Sequence, residues 1–149
     1  MDRAALIRHL SANANLHLGR LTETIPELLQ ALTCPIGFAV LDVDYYSSST
    51  EALTLFDGRP EKYLPQTVLY VDDIEHMSHH PGGGELLAIS EFNVGHAYRK
   101  INPYAFLRAE RVMKNAAWID HMFVVQVLDH PARSAPSSRD PYAISNPYL

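Results

Sequence analysis

Two strand-like runs stand out in the middle of the chain: residues 37–44, whose first half is apolar, and residues 67–71. Runs of this length that are apolar on both faces are typical of strands covered by helices on both sides of a parallel sheet. The pattern therefore predicts two buried strands. Apolar residues of these strands and of a later run are expected to form the core: Phe38, Val40, Val68, Tyr70, Phe123 and Val125.

Spacing along the chain predicts the other elements. Alternation of polar and apolar residues predicts a short strand over 15–19, and the apolar stretch 118–128 predicts a long late strand. Helical spacing and capping residues predict four helices. These are expected in the first dozen residues, from Thr24 to Leu32, from Ser48 to Gly58 and from Glu85 to Tyr98.

The order of these elements predicts the fold class. Strands alternate with helices, so we expect an α/β sheet, mostly parallel with an antiparallel late strand and with helices on both faces. Residues 1–130 are expected to form a single domain. The Pro- and Ser-rich tail, residues 131–149, is expected to lie over the surface or to be partly disordered.

Composition narrows the function classes. The 149 residues are 47% hydrophobic and 19% charged, as in an ordinary globular domain. The net charge of −5 argues against a nucleic-acid partner, because phosphate binding needs a basic face. The single cysteine, Cys34, excludes an internal disulfide and fits a reducing cytoplasm. No apolar run approaches the ~20 residues of a membrane span, so we expect a cytoplasmic location and no membrane partner.

Acidic residues follow both predicted strands. The first predicted strand finishes in Asp42 and Asp44, and the second finishes in the aspartates 72–73. If Leu41 and Val71 lie side by side, about 5 Å apart, these carboxylates crowd one edge and favour a bound cation. Oxygen ligands of this kind suit Mg²⁺. The alternative is that the acids cap the following helices and favour their positive dipole ends.

Two enzyme families place acids at strand ends in this manner. The haloacid dehalogenase phosphatases combine an Asp-x-Asp strand with a paired-Asp strand. In this chain 29 residues separate Asp42 from Asp72. That gap is too short for the other motifs and helices of those phosphatases, which disfavours this family.

The second family fits the order of the motifs. Residues 38–50 and 63–74 resemble class I S-adenosylmethionine-dependent methyltransferases, most closely the macrocin O-methyltransferase group. Residues 84–93 and 118–131 are similar to later parts of the same group. The resemblance covers residues from about 15 to 131. It implies a partial Rossmann-like methyltransferase sheet and transfer of a methyl group to a hydroxyl of a small molecule or sugar.

The resemblance also implies a metal site. In metal-dependent members an Asp at the end of the fourth strand and an acidic pair at the end of the fifth hold the ion. The matching residues in this chain are Asp42, Asp72 and Asp73. A Mg²⁺ held there would bind the substrate hydroxylate and align it with the methyl group of S-adenosylmethionine.

The general base is not fixed by the resemblance. Catechol-type relatives have a lysine three residues after the first Asp, where this chain has Tyr45. Asp44 and His76 are the candidate catalytic residues on chemical grounds, beside Asp42. His76 also begins a His-x-x-His-His motif, ending at His79 and His80, for which a zinc site, a substrate lid and a plain solvated loop all remain open.

The cofactor site expected from the resemblance is incomplete. Residues 15–19 would correspond to the third strand of the family, so Gly19 and Arg20 match the turn that borders the adenine pocket. The first two strands and the glycine-rich cofactor turn would precede Met1. The glycines 82–84 follow the fifth strand and do not replace that turn.

An incomplete sheet leaves the first buried strand with an apolar edge. Three outcomes are open: the segment 15–19 pairs with that edge, a second chain covers it in a homodimer, or residues upstream of Met1 complete it. Two functions follow. The chain is either the C-terminal portion of a methyltransferase, inactive in isolation, or a catalytically inactive remnant or interaction module that associates through its sheet edge.

Overall fold

Residues 3–75, 80–110, 112 and 114–133 are described in the structure, a computed structural model. Five α-helices and four strands lie within these residues. In chain order they are α1 (Arg3–His9), α2 (Leu21–Ala31), β1 (Ile36–Leu41), α3 (Tyr46–Leu53), β2 (Tyr63–Val71), α4 (Gly84–Gly95), β3 (Arg99–Pro103), α5 (Ala105–Glu110) and β4 (Met122–Val127).

The four strands form one mixed sheet in the order β1-β2-β4-β3. β1 and β2 are parallel, whereas β4 is antiparallel to both of its neighbours, β2 and β3. β1, β2 and β3 therefore run in one direction and β4 in the other. Leu41 lies opposite Val71 in the parallel ladder, which confirms the predicted adjacency of the two acidic strand ends.

The core lies between one face of the sheet and the helices α3 and α4. Alternate residues of each strand point to this face, as the period of a strand requires. The predicted core positions Phe123 and Val125 are buried there. The buried cluster consists of Leu41, Leu53, Phe56, Tyr63, Leu69, Val71, Ala88, Ile89, Phe92, Ile101, Phe123, Val125 and Val127.

The other face of the sheet is open along β1. Phe38 and Val40 are 56% and 59% exposed, and their partners in the β1–β2 register, Val68 and Tyr70, are half-buried. The predicted core stripe was wrong here, because it combined residues from both faces of the sheet. The prediction of helices on both faces is also wrong at β1.

Several predicted boundaries differ from the structure. Residues 15–19 form no strand, and most of their side chains are exposed. Alternation of polar and apolar residues was therefore not sufficient to predict a strand here. β3 was not predicted, because its sequence is mostly charged or polar. Residues 117–119 form a 3-10 helix, which delays β4. α2 begins at Leu21, so Pro26 lies inside the helix and not in its first turn.

At the end of the sheet where β2 begins, Tyr63 and Arg99 hold the surrounding loops. The Tyr63 hydroxyl donates to Leu55 O at 2.7 Å and accepts from Gly58 N at 2.7 Å. Burial is the main cause that raises the pKa of Tyr63 to about 12. The Arg99 guanidinium lies over the Tyr63 ring, 5.7 Å from its centroid, and forms an ion pair with Asp129. Arg99 is itself buried.

A second pair of charged side chains lies near the same end. His96, which caps the C-terminus of α4, has its Nδ1 2.8 Å from Phe92 O and its Nε2 2.9 Å from an oxygen of Asp57. These two contacts link the C-terminus of α4 to the loop at Asp57.

No helix among the described residues is long and apolar enough to cross a membrane. The chain continues beyond β4 into a 3-10 helix, Pro131–Arg133. The remainder of the predicted tail lies outside the described residues.

Candidate metal centre

Three carboxylates converge at the end of the parallel strand pair. Asp42, Asp44 and Asp73 each offer an oxygen, and these oxygens lie within 4.8 Å of one another. Asp42 and Asp44 follow β1 directly. Asp73 opens the short 3-10 helix that follows β2. The side-by-side placement of the two strand ends brings these residues together, as the sequence predicted.

A tight turn places Asp44 beside Asp42. The amide N–H of Tyr45 donates to Val43 O, so the chain reverses immediately after β1 before α3 begins. Asp42 and Asp44 are both exposed, and among the described residues neither forms an ion pair with a Lys, Arg or His side chain. The turn therefore leaves two uncompensated carboxylates at the surface.

Asp72 is not in this group of converging carboxylates. Its N–H donates to Leu41 O at 2.9 Å, so its backbone continues the β1–β2 ladder, and its side chain is exposed. The structure thus brings together Asp42, Asp44 and Asp73, whereas the resemblance implied Asp42, Asp72 and Asp73. Asp44, expected as a base candidate, takes the place of Asp72 in the cluster.

Glu85, in the first turn of α4, lies behind the cluster and was not singled out in the sequence. It is 0% exposed, and its Oε2 accepts from the Asp73 N–H at 3.1 Å. Its Oε1 has no hydrogen-bond partner among the described residues. Burial, followed by the nearby Asp73 and Asp72 charges, raises the pKa of Glu85 from 4.5 to about 7, although the Asp73 N–H opposes this shift. The only sequence signal was an acidic residue directly before the apolar run 86–89.

His121 supports the same end of the sheet from β4. It is buried, its Nδ1 lies 2.7 Å from Val71 O, and its ring stacks on Tyr70 with centroids 5.3 Å apart. A carbonyl only accepts, so Nδ1 carries the proton in this bond. The Val71 N–H in turn donates to His121 O at 2.9 Å. His121 therefore fixes the strand end from which Asp73 emerges.

The remaining predicted site residues are not at the cluster or are not described. His76 and His79 lie outside the described residues. His80 is exposed, and its Nδ1 accepts from Gly82 N at 3.0 Å. Gly19 and Arg20 lie at the start of α2 and follow no strand.

The donor set of the cluster fits a hard divalent cation. All three groups present carboxylate oxygens, the ligands that Mg²⁺ and Ca²⁺ prefer, and two are open to solvent. A buried carboxylate behind them adds negative potential. By contrast, within the described part of the chain no glycine-rich turn directly follows a strand, so these residues do not fit an S-adenosylmethionine pocket.

Comparison of the chain with family models, with curated proteins and with solved structures finds no match in any of the three. The class of protein that the fold and site define is therefore an α/β protein with an acidic cluster at the carboxyl ends of its parallel strands.

Proposed function

We propose that this chain is the C-terminal portion of an S-adenosylmethionine-dependent, Mg²⁺-dependent O-methyltransferase that acts on a hydroxyl group of a small molecule or sugar. One observation carries the proposal: oxygens of Asp42, Asp44 and Asp73 converge within 4.8 Å at the carboxyl ends of two adjacent parallel strands. Open α/β sheets bind ligands at that edge. The antiparallel β4 also agrees with the sheet that the resemblance implies.

The roles of the residues follow from their positions. A divalent cation at this site would act as a Lewis acid that makes a bound hydroxyl more acidic. Asp42 and Asp73, from two different strand ends, would be ligands of the cation. Asp44, on the turn between β1 and α3, completes the cluster and would receive a proton from the acceptor. The Glu85 carboxylate accepts a hydrogen bond from the Asp73 N–H and so positions the start of the 3-10 helix that follows β2.

The methyl donor would bind outside the described residues. β1 is an edge strand of the described sheet, and the apolar residues Phe38 and Val40 are exposed beside it. Further strands that carry the cofactor turn would extend the sheet at this edge. We therefore expect the isolated chain to bind Mg²⁺ but to show no micromolar binding of S-adenosylmethionine, as measured by isothermal titration.

Isothermal titration with MgCl₂ tests the metal site. We expect Asp73→Asn and Asp42→Asn to weaken Mg²⁺ binding by tenfold or more, about 1.4 kcal/mol, because each substitution replaces a charged carboxylate ligand by a neutral amide. Asp72→Asn is the matched control, since it removes the same charge one residue away and should change the affinity much less. Absence of millimolar Mg²⁺ binding by the wild type would refute the site. Equal losses of Mg²⁺ affinity in Asp72→Asn and Asp73→Asn would instead support the ligand set implied by the resemblance, which includes Asp72.

A second candidate function is favoured by the open edge of β1. A strand with unpaired backbone groups and exposed Phe38 and Val40 is suited to pairing with another chain, which supports an interaction module without turnover. Sedimentation of the wild type and of Val40→Lys separates the two. A stable homodimer that the lysine disrupts, together with no metal binding, would favour the module over the enzyme.

A further inference from the structure

The outer edge of β1 offers backbone groups for a further strand. The Leu41 carbonyl accepts from the Asp72 N–H, so Leu41 and, by the alternation of a strand, Ala39 direct their backbone groups towards β2. The N–H and carbonyl groups of Phe38 and Val40 therefore point away from β2, and both side chains are exposed on the open face. This edge is suited to another strand with apolar residues.

Opposite charges lie beyond the two ends of this edge. Asp42 and Asp44 follow its carboxyl end, and both are exposed. Beside its amino end, a hollow of about 270 Å³ separates the loop before β1 from the 3-10 helix before β2. The lining of this hollow includes Cys34, Pro35, Arg59, Glu61 and Lys62. The two cations outweigh the single glutamate, and the Arg59 side chain is 83% exposed, so its guanidinium is accessible to a partner.

These charges determine how two β1 strands would pair. Parallel pairing in register would place Asp42 beside the same carboxylate of the second copy, and like charges oppose it. Antiparallel pairing about a two-fold axis instead brings the acidic end of each strand to the basic end of the other. With Phe38 opposite Val40 of the second copy, the outward backbone groups of both edges are paired. Asp44 then reaches the loop before β1 of the second copy, where Arg59 lies.

We propose that two copies of this chain pair antiparallel through β1 and that Arg59 of each copy forms an ion pair with Asp44 of the other. A second claim rests on the proposed function: the guanidinium and Mg²⁺ compete for the same acidic cluster. Mg²⁺ therefore weakens the pairing, and the pairing weakens Mg²⁺ binding by the same factor. Strands that extend the sheet at this edge in a longer protein would take the place of the second copy.

Sedimentation equilibrium of the full chain in EDTA at low ionic strength tests the pairing. We expect a monomer–dimer equilibrium. Arg59→Glu should raise the dimer dissociation constant by about tenfold or more, because the two-fold axis turns two attractions into two repulsions. Lys114→Glu is the matched control, since it makes the same change in net charge on an exposed residue that follows β3, at the other edge of the sheet. It should change the constant by less than about threefold.

A charge exchange identifies the partner of Arg59. Adding Asp44→Arg to Arg59→Glu should lower the dissociation constant again by about threefold or more, because the ion pair re-forms with its signs exchanged. Three results would each overturn the proposal. They are a wild type that stays monomeric up to about 1 mM, equal effects of Arg59→Glu and Lys114→Glu, and no recovery in the double variant.

MgCl₂ at constant ionic strength tests the competition. The dissociation constant of the wild-type dimer should rise several-fold between EDTA and saturating Mg²⁺. Isothermal titration of Mg²⁺ into Arg59→Glu, which should be monomeric, measures the metal site without the second copy. Mg²⁺ binding to that variant without an effect on the wild-type dimer would overturn the competition. Absence of binding would overturn the proposed function and the competition with it, whereas the pairing is decided by the charge exchange alone.

Discussion

The two ends of the sheet hold charged groups in opposite ways. Where β1 and β2 finish, Asp42 and Asp44 form no ion pair among the described residues, and the buried Glu85 is compensated by the backbone groups of Asp73 and Val43 and not by a cation. Where β2 begins, the buried Arg99 is paired with Asp129 and lies over an aromatic ring. One end is left negative, whereas the other is neutralised pair by pair.

This difference separates structural charge from binding charge. A buried arginine that is paired with a carboxylate connects the loops around it. Because the two charges cancel, the pair creates little electrostatic potential that could attract a charged ligand. Carboxylates that crowd together without a cation destabilise the folded chain until a cation arrives. The carboxyl end of the parallel strands is therefore the end whose described carboxylates lack a paired cation, and the following variants test that comparison in order of expected effect.

The largest effect is expected from Arg99→Met. The substitution leaves Asp129 without its partner and removes the bond from the guanidinium to Gly58 O. Loss of two hydrogen bonds from a buried charged group, each worth about 1.5–3 kcal/mol, should lower the free energy of unfolding by about 3–6 kcal/mol, measured by urea denaturation. Arg59→Met is the control, because Arg59 is largely exposed in its ion pair with Glu61 and should contribute under ~1 kcal/mol. Similar losses in both variants would contradict the comparison.

Glu85→Gln should act in the opposite direction and depend on pH. The folded state raises the pKa of Glu85 from 4.5 to about 7, so between these values the folded chain holds more protons than the unfolded chain. Stability therefore falls as pH rises through this window. At pH 8 the uncharged glutamine should stabilise the fold by on the order of 3 kcal/mol, since one pKa unit is worth ~1.4 kcal/mol. At pH 4 the two proteins should unfold alike, and a constant difference across pH would argue against this account.

A smaller, ligand-dependent effect is expected from Mg²⁺. A cation that binds only the folded state at ten times its dissociation constant stabilises it by about 1.4 kcal/mol. For a chain of this length that corresponds to a rise in Tm of about 3–6 °C, measured by differential scanning calorimetry at constant ionic strength. Asp73→Asn should abolish the rise, and Asp72→Asn should retain it. An equal rise in all three proteins would indicate a general salt effect.

The smallest effect is expected from Asp57→Asn at the compensated end. The Asp57–His96 pair is half exposed, with side-chain exposures of 47% and 35%. Pairs of this kind contribute under ~1 kcal/mol and are weakened by salt. The loss of stability should shrink further in 1 M NaCl, where a Debye length of about 3 Å screens the pair. A loss as large as that of Arg99→Met would show that exposure does not distinguish the two pairs.

The sequence predicted the position of the site better than its membership. Two apolar runs followed by acids were sufficient to predict that Leu41 and Val71 are neighbours, because strand ends impose that geometry. Asp44 and not Asp72 belongs to the cluster because of a turn after β1 and a backbone hydrogen bond from Asp72 to Leu41. Both are backbone features that the residue types do not reveal. Glu85 was missed because its role comes from burial, which a single acid before an apolar run does not reveal.

The fold shows the same limit. β1 and β2 were predictable because their runs are apolar, whereas β3 is charged at one end and ends in proline. Phe38 and Val40 have the residue types of a core but lie on the open face, because no described helix covers that side of β1. Residue type predicts the strand, and the neighbouring elements determine which of its faces is buried.

The insertion of β4 between β2 and β3 has a consequence for biosynthesis. Gln66 pairs with Gln126, sixty positions later, so one flank of β2 has no partner until almost all of the described chain has left the ribosome. Contacts this distant in sequence form slowly and leave backbone groups available to other nascent chains in the interval. Production at reduced temperature or with added chaperone should therefore improve the yield of this protein more than further stabilisation of its helices.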